Sequence, residues 1–102
     1  MKKVVNGKLY DTEKAELVAS WSFGNPGDFE YVNEELYVTK KGVWFLYGEG
    51  GAKSCYSKQI GSNTFSGSER IFPLTPEEAK QWMEEHDVPA ETILKFFTIE
   101  DA

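Results

Sequence analysis

The sequence predicts a single α+β domain over residues 1–102, built on an antiparallel sheet of about four or five strands with an N-terminal helix and two short C-terminal helices. Three observations carry this expectation. Asn6-Gly7 sits between two short apolar segments, the strongest short-range hairpin signal. Val43-Trp44-Phe45-Leu46-Tyr47 is a bulky apolar run bounded by glycine-containing turns, as a central strand would be. Thr75-Pro76-Glu77-Glu78 has the pattern of a helix start, with a hydroxyl cap, proline in the first turn and a carboxylate three residues after the cap.

Taken in chain order, Val4-Val5-Asn6-Gly7-Lys8-Leu9-Tyr10 reads as a hairpin. Asp11 or Thr12 is placed to cap a helix running to Ser20 or Trp21, because Leu17, Val18 and Trp21 recur at spacings of three and four. Phe23-Gly24-Asn25-Pro26-Gly27-Asp28 has loop composition. Phe29–Val32 and Glu35–Thr39 read as strand, Lys40-Lys41-Gly42 as the turn into Val43–Tyr47. Gly48 to Ser68 reads as an irregular excursion with one strand near Cys55–Gln59. Glu69–Leu74 returns to the sheet, and Pro73 is expected to end its pairing because it has no N–H to donate. In the helix that follows, Ala79, Trp82, Met83 and His86 make one apolar stripe. Asp87-Val88-Pro89 interrupts it, and a second helix begins near Ala90.

Composition bounds the function. At 102 residues with 15% aromatic side chains the chain can fold on its hydrophobic core alone. Its longest apolar run is far shorter than the roughly 20 residues of a membrane span, and Met1-Lys2-Lys3 leads into no signal-peptide hydrophobic region, so the chain reads as cytoplasmic with no membrane partner. One cysteine, Cys55, and one histidine, His86, supply neither a disulfide nor a zinc ligand set, so no metal or cofactor is expected. The net charge is −6 and is concentrated at one end. Acids and bases balance through Leu74, whereas beyond it Glu77, Glu78, Glu84, Glu85, Asp87, Glu91, Glu100 and Asp101 face only Lys80 and Lys95. Direct binding to nucleic acid is disfavoured, and a cationic protein surface is the expected counterpart.

No set of residues points to catalysis. "GEGGAKS" (Gly48–Ser54) approaches a phosphate-binding loop, but Ala52 precedes Lys53-Ser54 where a Walker loop requires glycine, and no helix follows. What remains is an anion nest of backbone amides or a recognition loop, with Tyr47, Glu49, Gly50, Gly51, Lys53 and Tyr56 as its candidate contacts. Cys55 with His86 is a weaker thiolate–base pair than a packed histidine and an ordinary small cysteine. The adjacent glutamates cannot share a proton, since helix neighbours point about 100° apart. Tyr31, Tyr37, Trp44, Tyr47 and Tyr56 read mainly as core, with an aromatic binding face as the alternative.

Three segments resemble a group of short proteins of unassigned function typical of phages, plasmids and conjugative elements of Gram-positive bacteria. They are Asn6–Glu13 with Ala15 and Trp21, Leu36 to Ala52, and Ile71–Ala79, so the resemblance covers most of the chain to about Met83. It implies a mobile-element setting, in which small acidic proteins often inhibit host defence, anti-CRISPR proteins among them. The functional expectation is therefore a non-enzymatic inhibitor that presents Glu77, Glu78, Glu84, Glu85, Asp87 and Glu91 to the basic surface of a host nucleic-acid-handling complex, imitating DNA phosphates. The alternative is a small-ligand or nucleotide sequestering module that uses Gly48–Ser54. A homo-oligomer is left open.

Overall fold

Asn6 and Gly7 adopt φ of 51° and 78°, the two positive angles that a type I′ turn requires, and they close the first hairpin as expected. Its strands are β1 (Lys2–Val5) and β2 (Lys8–Asp11). The computed structural model describes residues 1–102. After the hairpin come β3 (Glu16–Phe23), β4 (Val32–Val38), β5 (Trp44–Gly50), the small β6 (Lys58–Gly61) and β7 (Thr64–Ser66), then β8 (Ser68–Leu74), α1 (Pro76–Glu85) and α2 (Ala90–Leu94). The main sheet is antiparallel with order β3-β4-β5-β8, and β6 pairs only with β7.

Register decides which side chains share a face. Val38 lies opposite Trp44, Leu36 opposite Leu46 and Glu34 opposite Gly48, with Leu74, Phe72 and Arg70 continuing these rows on β8. The first two rows build the larger core, in which Leu36, Val38, Trp44 and Leu46 pack on Ala79, Trp82 and Met83 of α1. Ile93 of α2 and Phe96 and Phe97 beyond it close the same side, with Phe97 stacked on Trp44 at 5.3 Å between centroids. On the other face Tyr37, Phe45 and Ile71 form a second cluster under Tyr10 of the hairpin. β5 is thus the central strand covered on both faces that its apolar run implied.

The helix expected between Asp11 and Trp21 is instead strand β3. The reason is a β-bulge: Leu17 pairs with Tyr37 and Ala19 with Leu36, leaving Val18 as an extra residue. An extra residue breaks the two-residue alternation, so Leu17, Val18 and Trp21 acquire a helix-like spacing within an extended chain. The hairpin, not a helix, covers that side of the sheet. Smaller corrections follow similar logic. Phe29 and Glu30 lie in a turn before β4, where Asp28 Oδ2 accepts a hydrogen bond from the Asn25 amide at 3.0 Å. Pairing of β8 runs past Pro73 to Leu74, because β8 is an edge strand and a missing N–H on its free side removes no ladder bond. The strand expected near Cys55–Gln59 lies slightly later, as β6, and gains a partner in β7.

Candidate interaction surface

α1 owes its position to its own sequence. Thr75 Oγ1 accepts from the Glu78 amide at 3.1 Å while Glu78 Oε1 accepts from the Thr75 amide at 2.9 Å, a complete capping box. Ala79, Trp82 and Met83 are buried against the sheet, which turns Glu77, Glu78, Gln81, Glu84 and Glu85 outward, all exposed. Asp87, at φ 54°, and Glu91, in the first turn of α2, continue the acidic surface past the helix end and are exposed as well.

The six acids expected at the partner surface are not equivalent. Glu78 is engaged in the cap. Glu77 pairs with Lys80 at 3.3 Å, and Glu85 Oε1 accepts from Gln81 Nε2 at 3.1 Å. Glu84, Asp87 and Glu91 have no side-chain hydrogen bond or ion pair within the protein. No basic residue stands in the last turn of α1, although the partial negative charge of that helix end favours one. Glu84 and Glu85 therefore sit where the helix dipole opposes them.

Beneath this ridge lies a polar cluster that sequence reading missed. Glu34 projects from β4 into the helix-covered face, where Trp82 Nε1 donates to Oε1 at 3.1 Å and the Tyr56 hydroxyl donates to Oε2. His86 Nε2 stands 3.6 Å from the same carboxylate, and the side chains of both residues are under one-fifth exposed. The Trp82 carbonyl accepts a hydrogen bond from His86 Nδ1 at 2.8 Å. Trp82 stacks on the imidazole at 4.4 Å, and Trp21 meets it edge-on at 4.7 Å. Burial first, then the bond to Glu34, push the Tyr56 phenol above its ordinary value. The larger surface clefts are not lined by these four side chains. The arrangement ties helix to sheet.

The Gly48–Ser54 loop is built to fold back on itself. A Cβ on Gly48 would enter the Tyr56 ring, and one on Gly51 would strike the carbonyls of Asp28 and Phe29. The amide of Gly51 donates to the Tyr31 carbonyl at 2.9 Å, that of Lys53 to Phe29 at 2.7 Å, and that of Ser54 to Gly51 at 3.1 Å. Ser54 Oγ in turn accepts from the Tyr56 amide at 3.1 Å. Donors that an anion nest would turn toward phosphate are thus committed inside the protein.

Lys53 lies 5.9 Å from the centre of the Phe29 ring. The neighbouring cleft, about 630 Å³, is lined by Tyr31, Glu49, Gly50 and Gly51 together with Glu69 and the exposed Phe29 and Phe65. Three carboxylates in that lining repel a phosphate, Asp28 and the facing pair Glu49 and Glu69. Tyr47 bridges the pair, sharing its one phenolic proton between Glu49 at 2.9 Å and Glu69 at 2.8 Å.

The structure separates the candidate aromatics. Trp44 and Tyr56 are buried on the helix side and Tyr37 on the hairpin side, while Tyr31 and Tyr47 are half-buried. They form no continuous stacking platform. Cys55 is exposed, and His86 is engaged with Glu34 and Trp82. Comparison with protein-family models, curated proteins and solved structures finds no match to this chain.

Proposed function

We propose that this protein is a non-enzymatic binding protein whose acidic C-terminal surface docks on a basic, phosphate-holding surface of a nucleic-acid-handling complex and thereby competes with nucleic acid. The observation that carries the reading is the placement of Glu84 and Glu85. Two exposed carboxylates occupy the last turn of α1 against the helix dipole, with no base in that turn and with Asp87 and Glu91 unpaired beside them. Local stability disfavours this arrangement. A cationic partner would reverse the sign of its energy.

Recognition of this kind is mainly electrostatic. An acidic ridge on a rigid helix raises the rate of encounter with a basic groove and weakens as salt screens it. Glu34, Tyr56 and Trp82 contribute by holding α1 on the sheet, so the carboxylates meet the partner with little left to order. A mobile-element setting, implied by the sequence resemblance alone, makes inhibition of a host CRISPR effector the sharpest form of this reading.

The test uses the protein as bait in host lysate, followed by release with nucleic acid. The expected result is capture of a basic nucleic-acid-binding protein that added DNA or RNA displaces. Exchanging Glu77, Glu84, Glu85 and Asp87 for lysine should abolish capture while leaving the circular dichroism spectrum intact. Equal capture by that variant overturns the proposal.

A further inference from the structure

The two edges of the main sheet differ. β8 carries Arg70 and Pro73, and cation and proline are devices that discourage another strand from adding to an edge. β1, β2 and β6 each carry lysine. At eight residues β3 is the longest strand in the fold, and it has neither lysine nor proline; its one charged residue is Glu16, at its start, and its one edge-blunting device is the bulge at Val18. Its only strand partner is β4. None of the turn, loop or side-chain hydrogen bonds reaches the backbone of Glu16–Phe23, so the outward N–H and C=O groups of this strand have no partner within the chain. Leu17 and Phe23, near its two ends, are half or more exposed.

We infer that this edge pairs with a second copy of the same chain, β3 against β3, antiparallel about a two-fold axis at Ser20, to make one continuous eight-stranded sheet. Self-pairing suits the strand for three reasons. Antiparallel addition satisfies the outward backbone groups of the regular stretch around Ser20 in both copies at once, with the Val18 bulge of each copy falling opposite Ser22 of the other. With Ser20 opposite its counterpart, Ala19 of each copy lies across from Trp21 of the other, small against large on the helix-covered face. The one charge on the strand avoids itself, because two Glu16 residues eight positions apart are separated by about 26 Å, well beyond a Debye length of about 8 Å at physiological salt. α1 packs over β5 and β8 and reaches β4 through Trp82, with its C-cap His86 against Trp21 of β3, and its glutamates point away from the sheet. Its acidic ridge therefore stays open in the pair, and each dimer presents two of them.

Light scattering over micromolar to submillimolar concentrations tests this. Wild type should approach twice the 11.6 kDa chain mass as concentration rises. Ser20 is exposed and faces Glu35 of β4, so Ser20→Glu gathers carboxylates at the axis and should return the protein to single-chain mass. An equimolar mixture of Ser20→Glu and Ser20→Lys should regain the double mass, a rescue that a folding defect would not produce. A wild type that stays monomeric throughout, or a Ser20→Glu protein that associates like wild type, overturns the inference. If Ser20→Glu fails to fold, hydrogen exchange on wild type decides. Amides within Glu16–Phe23 should exchange more slowly as concentration rises, and concentration-independent exchange there contradicts the pairing.

Discussion

Gly48 is the smallest residue in the polar cluster and the one on which its geometry depends. It faces Glu34 across the β4–β5 ladder, and the absent side chain is the space that the Tyr56 ring fills on its way to the carboxylate. Gly48→Ala should therefore expel Tyr56 and cost about 1–3 kcal/mol, as overpacking of a filled site does, measured by denaturant unfolding followed by tryptophan fluorescence. Glu34→Leu should cost more, because it strands the Trp82 indole N–H and the Tyr56 hydroxyl, at about 1–3 kcal/mol for each buried donor left unpaired. Glu34→Gln, which keeps one acceptor, should fall between wild type and leucine.

The tyrosines also set a pH limit. Burial first, then hydrogen bonds to Glu35, to Glu69 and Glu49, and to Glu34 respectively, hold Tyr37, Tyr47 and Tyr56 above the ordinary value of 10.0 in the folded protein. The unfolded chain then loses phenolic protons first as pH rises past about 10, so it binds fewer protons than the native state and stability falls. Melting temperature should drop steeply above that pH. Tyr47→Phe should soften the drop, and an unchanged profile would mean that the Tyr47 phenol is not held in its neutral form by the fold.

At the level of elements, α1 and β3 show what a sequence makes legible. The start of α1 is written in four consecutive residues, and its cap depends on nothing distant; Thr75→Ala should cost about 1 kcal/mol by the same unfolding measurement. β3 has the spacing of a helix because one bulge residue, Val18, displaces the alternation that identifies a strand, and a bulge becomes visible only against the partner strand. Pro73 misled for a related reason: whether a proline ends a ladder depends on which side of its strand is free, which is set by sheet order. α1 also permits an experiment in which stability and binding move in opposite directions. Replacing Glu84 and Glu85 with lysine complements the helix end and should raise the melting temperature while weakening partner capture. A variant that loses both would indicate that these carboxylates serve the fold.

The whole molecule is extended for its length, with a radius of gyration of 15.1 Å against about 13 Å typical of 100 residues. The acidic bias of its last quarter was legible from residue counts alone, and so was the outward placement of the glutamates, because the stripe of Ala79, Trp82 and Met83 defines the buried side of α1. The Glu34 cluster was hidden because its members are spread from Glu34 to His86 and meet only through the β4–β5 register. The glycine-rich loop drew attention as a phosphate site, yet its amides close the turn against Phe29 and Tyr31, and Gly48 makes room for a tyrosine.

The most direct measurement is competition on the captured partner. With the partner bound to labelled nucleic acid, wild-type protein should displace the label with an affinity that falls as salt rises, and the protein with Glu77, Glu84, Glu85 and Asp87 changed to lysine should displace none. Displacement that is independent of salt, or equal for the two proteins, would contradict binding through the acidic surface.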